Sequence, residues 1–314
     1  MDTGKYLSLS TARVMSSCIK PKAQLDTTPL VLLHGFDSSC FEWRYGLPLL
    51  EDAGFETWAV DVLGWGFSDL GKSFPRAAWL PNVITFIRSK HEAVSDERNE
   101  VVFRVPKSNY CNLISRLLGE FWRSYVKKPM ILVGPSLGAA VAIDFAVNHP
   151  EAVDKLILID ASVYAEGTGN LATLPKVMAY AGVYLLKSLP LRLYATSLTF
   201  NTLTWGTCYD WAKIGRLHCL LPWWADATVD FMTSGGYNVS AQIGEVKQKT
   251  LIIWGENDQI IDYKLAVRLH SEIPNAMIRQ IPECGHIPHI EKPAAVSKLI
   301  AEFVRAESKV CMVA

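Results

Sequence analysis

Net charge is the first thing this chain lacks: among 314 residues, Lys plus Arg and Asp plus Glu both number 31, so the formal charge is zero. Without a basic excess there is no electrostatic footprint for nucleic acid, and no polyanion is implied as a partner. Long apolar runs are missing too. None approaches the roughly 20 residues that span a bilayer, so no transmembrane segment is expected. Paired cysteine spacing is also absent: the 7 cysteines are odd in number and none forms C-x-x-C. That argues against a disulfide framework and fits reduced, mostly buried thiols in an intracellular, cytoplasmic protein. Neither a cofactor nor a metal ion is expected. No internal repeat or low-complexity segment stands out.

What remains is a chain that is 50% hydrophobic and 20% charged, apolar enough for a substantial core. Short apolar runs alternate with helical patterns. Strands are predicted at Leu30 to Leu33, Thr57 to Val60, Met130 to Val133, Leu156 to Ile159, Thr250 to Trp254 and Ala276 to Ile281. Helices are predicted at Trp43 to Asp52, Leu137 to Asn148, Tyr263 to Ile273 and Ala294 to Ala306. Near-continuous β-branched runs between helices read as a mostly parallel, doubly wound sheet covered on both faces, the α/β class. Function then belongs at the carboxyl ends of the strands. The first 24 residues carry three Lys, one Arg and one acid among Ser and Thr, a transit-like composition that makes a plastid the alternative location. Against it, Thr11 to Ile19 alternates enough to be a first strand.

Two stretches interrupt the alternation. Residues 161–249 show helical patterns dense in Trp and Tyr but no convincing strand, which predicts a helical cap inserted between core segments 1–160 and 250–314. Its aromatics suggest an apolar pocket and a small apolar substrate. The other is a charged insertion near 72–123, whose middle, Arg88 to Glu100, reads as a solvated surface loop.

The chemistry centres on Gly134-Pro135-Ser136-Leu137-Gly138, between the run Met130 to Val133 and the Ala-rich stretch from Ala139 to Val147. Strand, tight turn and helix in that order hold a serine hydroxyl out at the top of a sheet, with glycines where a Cβ would collide. Ser136 then needs a base, an acid and an oxyanion hole. His286, after Gly285 in the loop between the last strand and the final helix, is the base preferred over His289. The other histidines offer less: His149, His218 and His270 read as helix-end or helix-face residues without a role. Asp258, just past Thr250 to Trp254, is the acid preferred over Asp160, and Glu256 in the same loop reads as solvated. His34-Gly35-Phe36 follows the first core strand, so the backbone amides of Phe36 and Leu137 are the expected oxyanion donors. His34 reads as a hydrogen-bonder shaping that turn, and Asp61 to Ser68 as scaffold.

With these pieces in order, the chain resembles the α/β-hydrolase fold superfamily, in its cap-bearing members and especially its plant branch. The resemblance rests on His34-Gly35-Phe36, Asp61 to Ser68, Gly134 to Gly138, Gly255 to Asp258 and Gly285-His286. It differs from the family pattern in its long charged insertion and in a short amino-terminal segment. The resemblance implies a Ser-His-Asp hydrolase acting on an apolar ester or thioester through an acyl-enzyme. Serine at the nucleophile position argues against epoxide hydrolases and haloalkane dehalogenases, which use aspartate there. Carbon–carbon bond hydrolysis by the same triad, and a small-molecule receptor role, are the alternatives it implies. At the carboxyl terminus, Cys311-Met312-Val313-Ala314 fits the C-a-a-X pattern, which makes Cys311 a candidate prenylation site without the usual polybasic support.

Overall fold

The computed structural model describes residues 7–8, 15–62, 64–67, 109–164, 175–202, 204–234 and 236–306. The charged segment Arg88 to Glu100, the prenylation candidate Cys311 and Thr11 to Val14 of the expected first strand lie outside the described residues. Nine strands run in chain order: β1 Leu7–Ser8, β2 Met15–Ser16, β3 Cys18–Ile19, β4 Leu30–Leu32, β5 Thr57–Val60, β6 Met130–Pro135, β7 Val153–Ile159, β8 Lys249–Gly255 and β9 Ala276–Ile281. The helices are α1 Gly46–Asp52, α2 Asn109–Phe121, α3 Leu137–Asn148, α4 Lys176–Leu186, α5 Leu189–Thr199, α6 Trp205–Leu217, α7 Trp224–Ser234, α8 Tyr263–Glu272, α9 Pro288–Glu291 and α10 Pro293–Arg305.

Seven strands form one sheet in the order β3-β5-β4-β6-β7-β8-β9, parallel except for the edge strand β3, while β1 and β2 pair separately. The predicted strands β4 to β8 read as near-continuous apolar runs because both faces of each are buried, whereas the edge strand β9 is mostly half-buried or exposed. Leu30 and Leu32 face a core built with Leu47, Leu50, Val296 and Ile300 of α1 and α10. Val31 and Leu33 face the opposite core, with Leu118, Val141, Phe145 and Leu269 of α2, α3 and α8. Each Leu, Ile or Val so enclosed contributes about 1.5–3 kcal/mol of burial.

Boundaries move for local reasons. The helix predicted from Trp43 starts at Gly46, because Pro48 lacks an N–H and its ring would meet the Arg44 carbonyl in a continuous helix. Trp43 instead ends a 3₁₀ turn, Cys40–Trp43. Ile273 falls outside α8 with φ −90° and ψ 118°, the extended geometry that the following Pro274 favours. The expected first strand is broken at Ser17, and only Cys18–Ile19 joins the main sheet, opposite Val60 and Ala59. Helices α4 to α7 stand between β7 and β8 in the chain.

Candidate active site

Ser136 sits between the end of β6 and the start of α3 with φ 48° and ψ −118°, a conformation in which a non-glycine residue is strained. The surrounding structure fixes it there: its N–H donates to the Ile159 carbonyl at 2.8 Å, and its own carbonyl accepts from Ala139 and Ser162. The two flanking glycines are steric necessities. A Cβ on Gly134 would run into the Gly138 carbonyl, and one on Gly138 would lie 2.8 Å from the His34 carbonyl oxygen.

His286 arrives from the loop after β9. Gly255 and Gly285 let the loops after β8 and β9 cross in contact, since a Cβ on Gly255 would strike the Gly285 carbonyl. The Gly285 N–H donates to Glu291 and the His286 N–H to the carbonyl of Thr199 at the end of α5. The His286 ring then spans the site. Its Nδ1 lies 2.8 Å from Asp258 Oδ2, and its Nε2 lies 3.1 Å from Ser136 Oγ. With a carboxylate as partner, Nδ1 carries the proton, which leaves Nε2 free to accept from the serine hydroxyl.

Asp258 is held in turn by the amides of Ile260 and Ile261, both donating to Oδ1. Burial works against its ionisation, but the hydrogen bond and charge of His286 and those two amides outweigh it and hold the carboxyl below its ordinary range. Asp160, the alternative acid, is completely buried at the end of β7 and accepts the Gly255 N–H. Burial, and then the neighbouring Asp258 charge, push its carboxyl well above the carboxylate range, the opposite direction to Asp258. The structure therefore brings Asp258, not Asp160, to His286.

The amides around the serine divide in the same way. Gly35 N–H is taken by Glu42 Oε2 at 3.0 Å and Ser136 N–H by Ile159, whereas the amides of Phe36 and Leu137 meet no protein acceptor among the described residues. His34 accepts the Val62 N–H at Nε2 and donates from Nδ1 to the Gly35 carbonyl, the turn-shaping part expected of it. Asp61 accepts the amides of Cys40 and Phe67, as scaffold. His289 does not reach the serine: it is buried against Trp43 and bonded to Glu42 at 2.7 Å. Glu256 is exposed and accepts the Glu283 amide. Cys284, two residues before His286, is no rival nucleophile, since burial and the nearby Glu291 charge push its thiol far up.

Sequence reading missed one group. Asp37, directly after Phe36, adopts φ 51° and gathers three partners from the segment between β7 and β8. Arg192 of α5 pairs with it at 2.5 Å, and His218 Nε2 and Trp224 Nε1 each donate to its Oδ1 at 2.8 Å. His218 is thus an anchor, not an idle helix-end residue. No local pattern announces this cluster; the one hint is an Asp in a turn where left-handed backbone is tolerated.

Above Ser136 lies a cavity of about 330 Å³ that Ser136 and His286 both face. Its walls are mainly apolar, from Phe36, Leu186, Leu191, Trp211 and Ile287, and Arg192 is the one Lys or Arg among the described residues that line it. A second cavity, by Lys247 and Asn275, opens at the amino ends of the strands, away from where ligands bind such sheets. Among the described residues, two sets have metal-ligand spacing, Asp37 with His218 and Cys219, and Asp160 with Asp258 and His286. In the first the donors are engaged with one another or with Arg192 and Trp224, and in the second Asp258 and His286 bond to each other.

The family model described as alpha/beta hydrolase fold matches residues 28–293. The chain is 52% identical over 291 residues to the alpha/beta hydrolase domain-containing protein VTE7 of Arabidopsis thaliana, covering 92% of this chain and 78% of that one. It is 31% identical over 192 residues to a 2-hydroxy-6-oxononadienedioate/2-hydroxy-6-oxononatrienedioate hydrolase of Comamonas testosteroni, covering 55% of this chain and 62% of that one. Among solved structures, a meta-cleavage product hydrolase from Pseudomonas fluorescens superposes with a TM-score of 0.71 at 18% identity, over 97% of this chain and 98% of that one.

Proposed function

Since this chain belongs to the α/β-hydrolase fold family, we propose that it is a serine hydrolase that cleaves small apolar esters or thioesters through an acyl-enzyme on Ser136. The observation that carries this reading is the unbroken hydrogen-bonded line from Asp258 through His286 to Ser136 Oγ. As the serine oxygen attacks the carbonyl carbon, His286 Nε2 takes its proton and Asp258 stabilises the imidazolium. The charge developing on the carbonyl oxygen is met by the amides of Phe36 and Leu137, a term worth several kcal/mol of barrier. His286 then gives its proton to the departing alcohol or thiol. Water, deprotonated by the same ring, releases the acid. In this reading α4 to α7 form a cap over the core, and its inner faces select the acyl group.

Carbon–carbon bond hydrolysis uses the same groups, and the Comamonas relative carries such a substrate in its name. That name specifies a dioate, a doubly anionic substrate. Among the described residues that line the cavity, Arg192 is the one Lys or Arg, and Asp37 already neutralises it. An uncharged substrate therefore suits these walls better.

A panel of para-nitrophenyl esters and matching acyl thioesters of increasing chain length tests the proposal. Turnover should rise with acyl length and fall again once the chain outgrows the cavity. Silence on every ester and thioester, together with a protein partner captured only when a small ligand is present, would overturn it in favour of a receptor.

A further inference from the structure

The helices whose inner faces line the cavity have unusual outer faces. Among the described residues, nine of the fifteen exposed large apolar side chains fall between Val177 and Leu220. Between Val177 and Leu185 on α4 the exposed positions are Val177, Met178, Ala181, Gly182, Tyr184 and Leu185, none of them charged. A soluble helix normally turns polar residues to water. Val177 is 80% exposed and Leu185 62%. On α6, Trp205, Tyr209, Lys213 and Arg216 recur at helical spacing along one exposed stripe, with Trp205 87% exposed and Lys213 Nζ 4.0 Å over the Tyr209 ring. The opposite side of the same helix carries Trp211, Ala212 and Gly215 into the cavity.

Charge marks the same region. The chain is neutral as a whole, yet residues 176–220 hold five cations, Lys176, Lys187, Arg192, Lys213 and Arg216, against the single acid Asp210. Arg192 is turned inward, onto Asp37, while Lys213 and Arg216 are exposed. Exposed aliphatics, Trp and Tyr, and a local excess of Lys and Arg together match the composition of surfaces that settle into the headgroup layer of anionic bilayers. The cavity reaches the surface at this side, where Ala195 of α5 both lines it and is exposed next to Tyr194, as it also does at Ile260. No described helix is long and apolar enough to cross a membrane, so the contact is interfacial.

We infer that the outer face of α4 to α6 docks on an anionic lipid bilayer, placing the cavity mouth at the membrane surface. The face immerses Leu185, Tyr194 and Trp205 at headgroup level while Lys213 and Arg216 meet lipid phosphates. An apolar substrate then reaches Ser136 from the bilayer without crossing water. The inference goes beyond the hydrolase reading and stands without it, because the binding is measured apart from turnover.

The test is co-sedimentation of the full-length protein with vesicles of phosphatidylcholine alone and of phosphatidylcholine with phosphatidylglycerol. Binding should be strong on the anionic vesicles, weaken with added salt, and fall at least about tenfold in the double variant Lys213→Glu/Arg216→Glu. Trp205→Ala with Leu185→Ser should reduce binding on both vesicle types. The melting temperature of each variant should stay that of the parent, since the altered side chains are exposed. Failure of the parent protein to bind either vesicle overturns the inference, as does binding that neither pair of substitutions alters. A concentration-dependent dimer lost in Trp205→Ala, without vesicle binding, also overturns it and assigns the face to a second copy of the chain.

Discussion

Asp258→Asn is expected to lower ester turnover by about four orders of magnitude with little change in stability. The reason lies in the tautomer. With a carboxylate at Oδ2, His286 must carry its proton on Nδ1, and Nε2 can accept from Ser136. An amide at position 258 can present its NH₂ instead, drawing the lone pair to Nδ1 and leaving an N–H aimed at the serine. The base is then blocked while the geometry survives. Asp160→Asn provides the contrast. Burial and the Asp258 charge push its carboxyl well above the carboxylate range, and it contributes an acceptor to the Gly255 amide that asparagine also supplies. Turnover within about threefold of the parent is expected there, on the tautomer argument. Steady-state kinetics on one ester checks both. A rate within threefold in Asp258→Asn would show that the acid is wrongly assigned.

Asp37→Ala should cost about 3–5 kcal/mol of folding stability, the range for removing one partner of a buried charge pair. It leaves the Arg192 guanidinium, the His218 ring and the Trp224 indole without their shared acceptor, all in a region where the first two side chains are 12% and 1% exposed. The loss also has a pH signature. Burial opposes ionisation of Asp37, but His218, Arg192 and Trp224 together hold its carboxyl below the ordinary range. A group depressed on folding contributes stability above its unfolded value and loses it as pH falls through the folded one. The parent protein should therefore lose stability below the ordinary carboxylate range, and the variant should lack that share of the loss. Urea unfolding across acidic pH reads both effects. An unchanged midpoint in Asp37→Ala would mean that the cluster does not tie these helices to the turn at Phe36.

Much of this site can be read from sequence because its parts are local. The elbow is five consecutive residues whose strained backbone needs glycine at two of them, and the strands behind it are apolar throughout because both faces of the sheet are covered. Asp258 and His286 each follow a strand end within a few residues. What escaped is the second ring of contacts, which is not local at all. Asp37 meets His218 across 181 residues of chain, and Glu42 meets His289 across 247. Neither His218 nor His289 has a neighbouring pattern that would announce a buried carboxylate partner. Helices α4 to α7 were visible only as helical patterns dense in aromatics, without boundaries, and along α4 the exposed positions from Val177 to Leu185 are themselves apolar, which blurs the usual alternation of inside and outside.

The account turns on whether a bond forms at Ser136. The direct measurement is the intact mass of the enzyme quenched during turnover of a slowly released ester, followed by mapping of the modified peptide. Acyl transfer predicts a mass increase equal to the acyl group, located on the peptide that contains Ser136 and absent in Ser136→Ala. Ester cleavage that continues in Ser136→Ala, with no acyl group on that peptide in the parent, would contradict it.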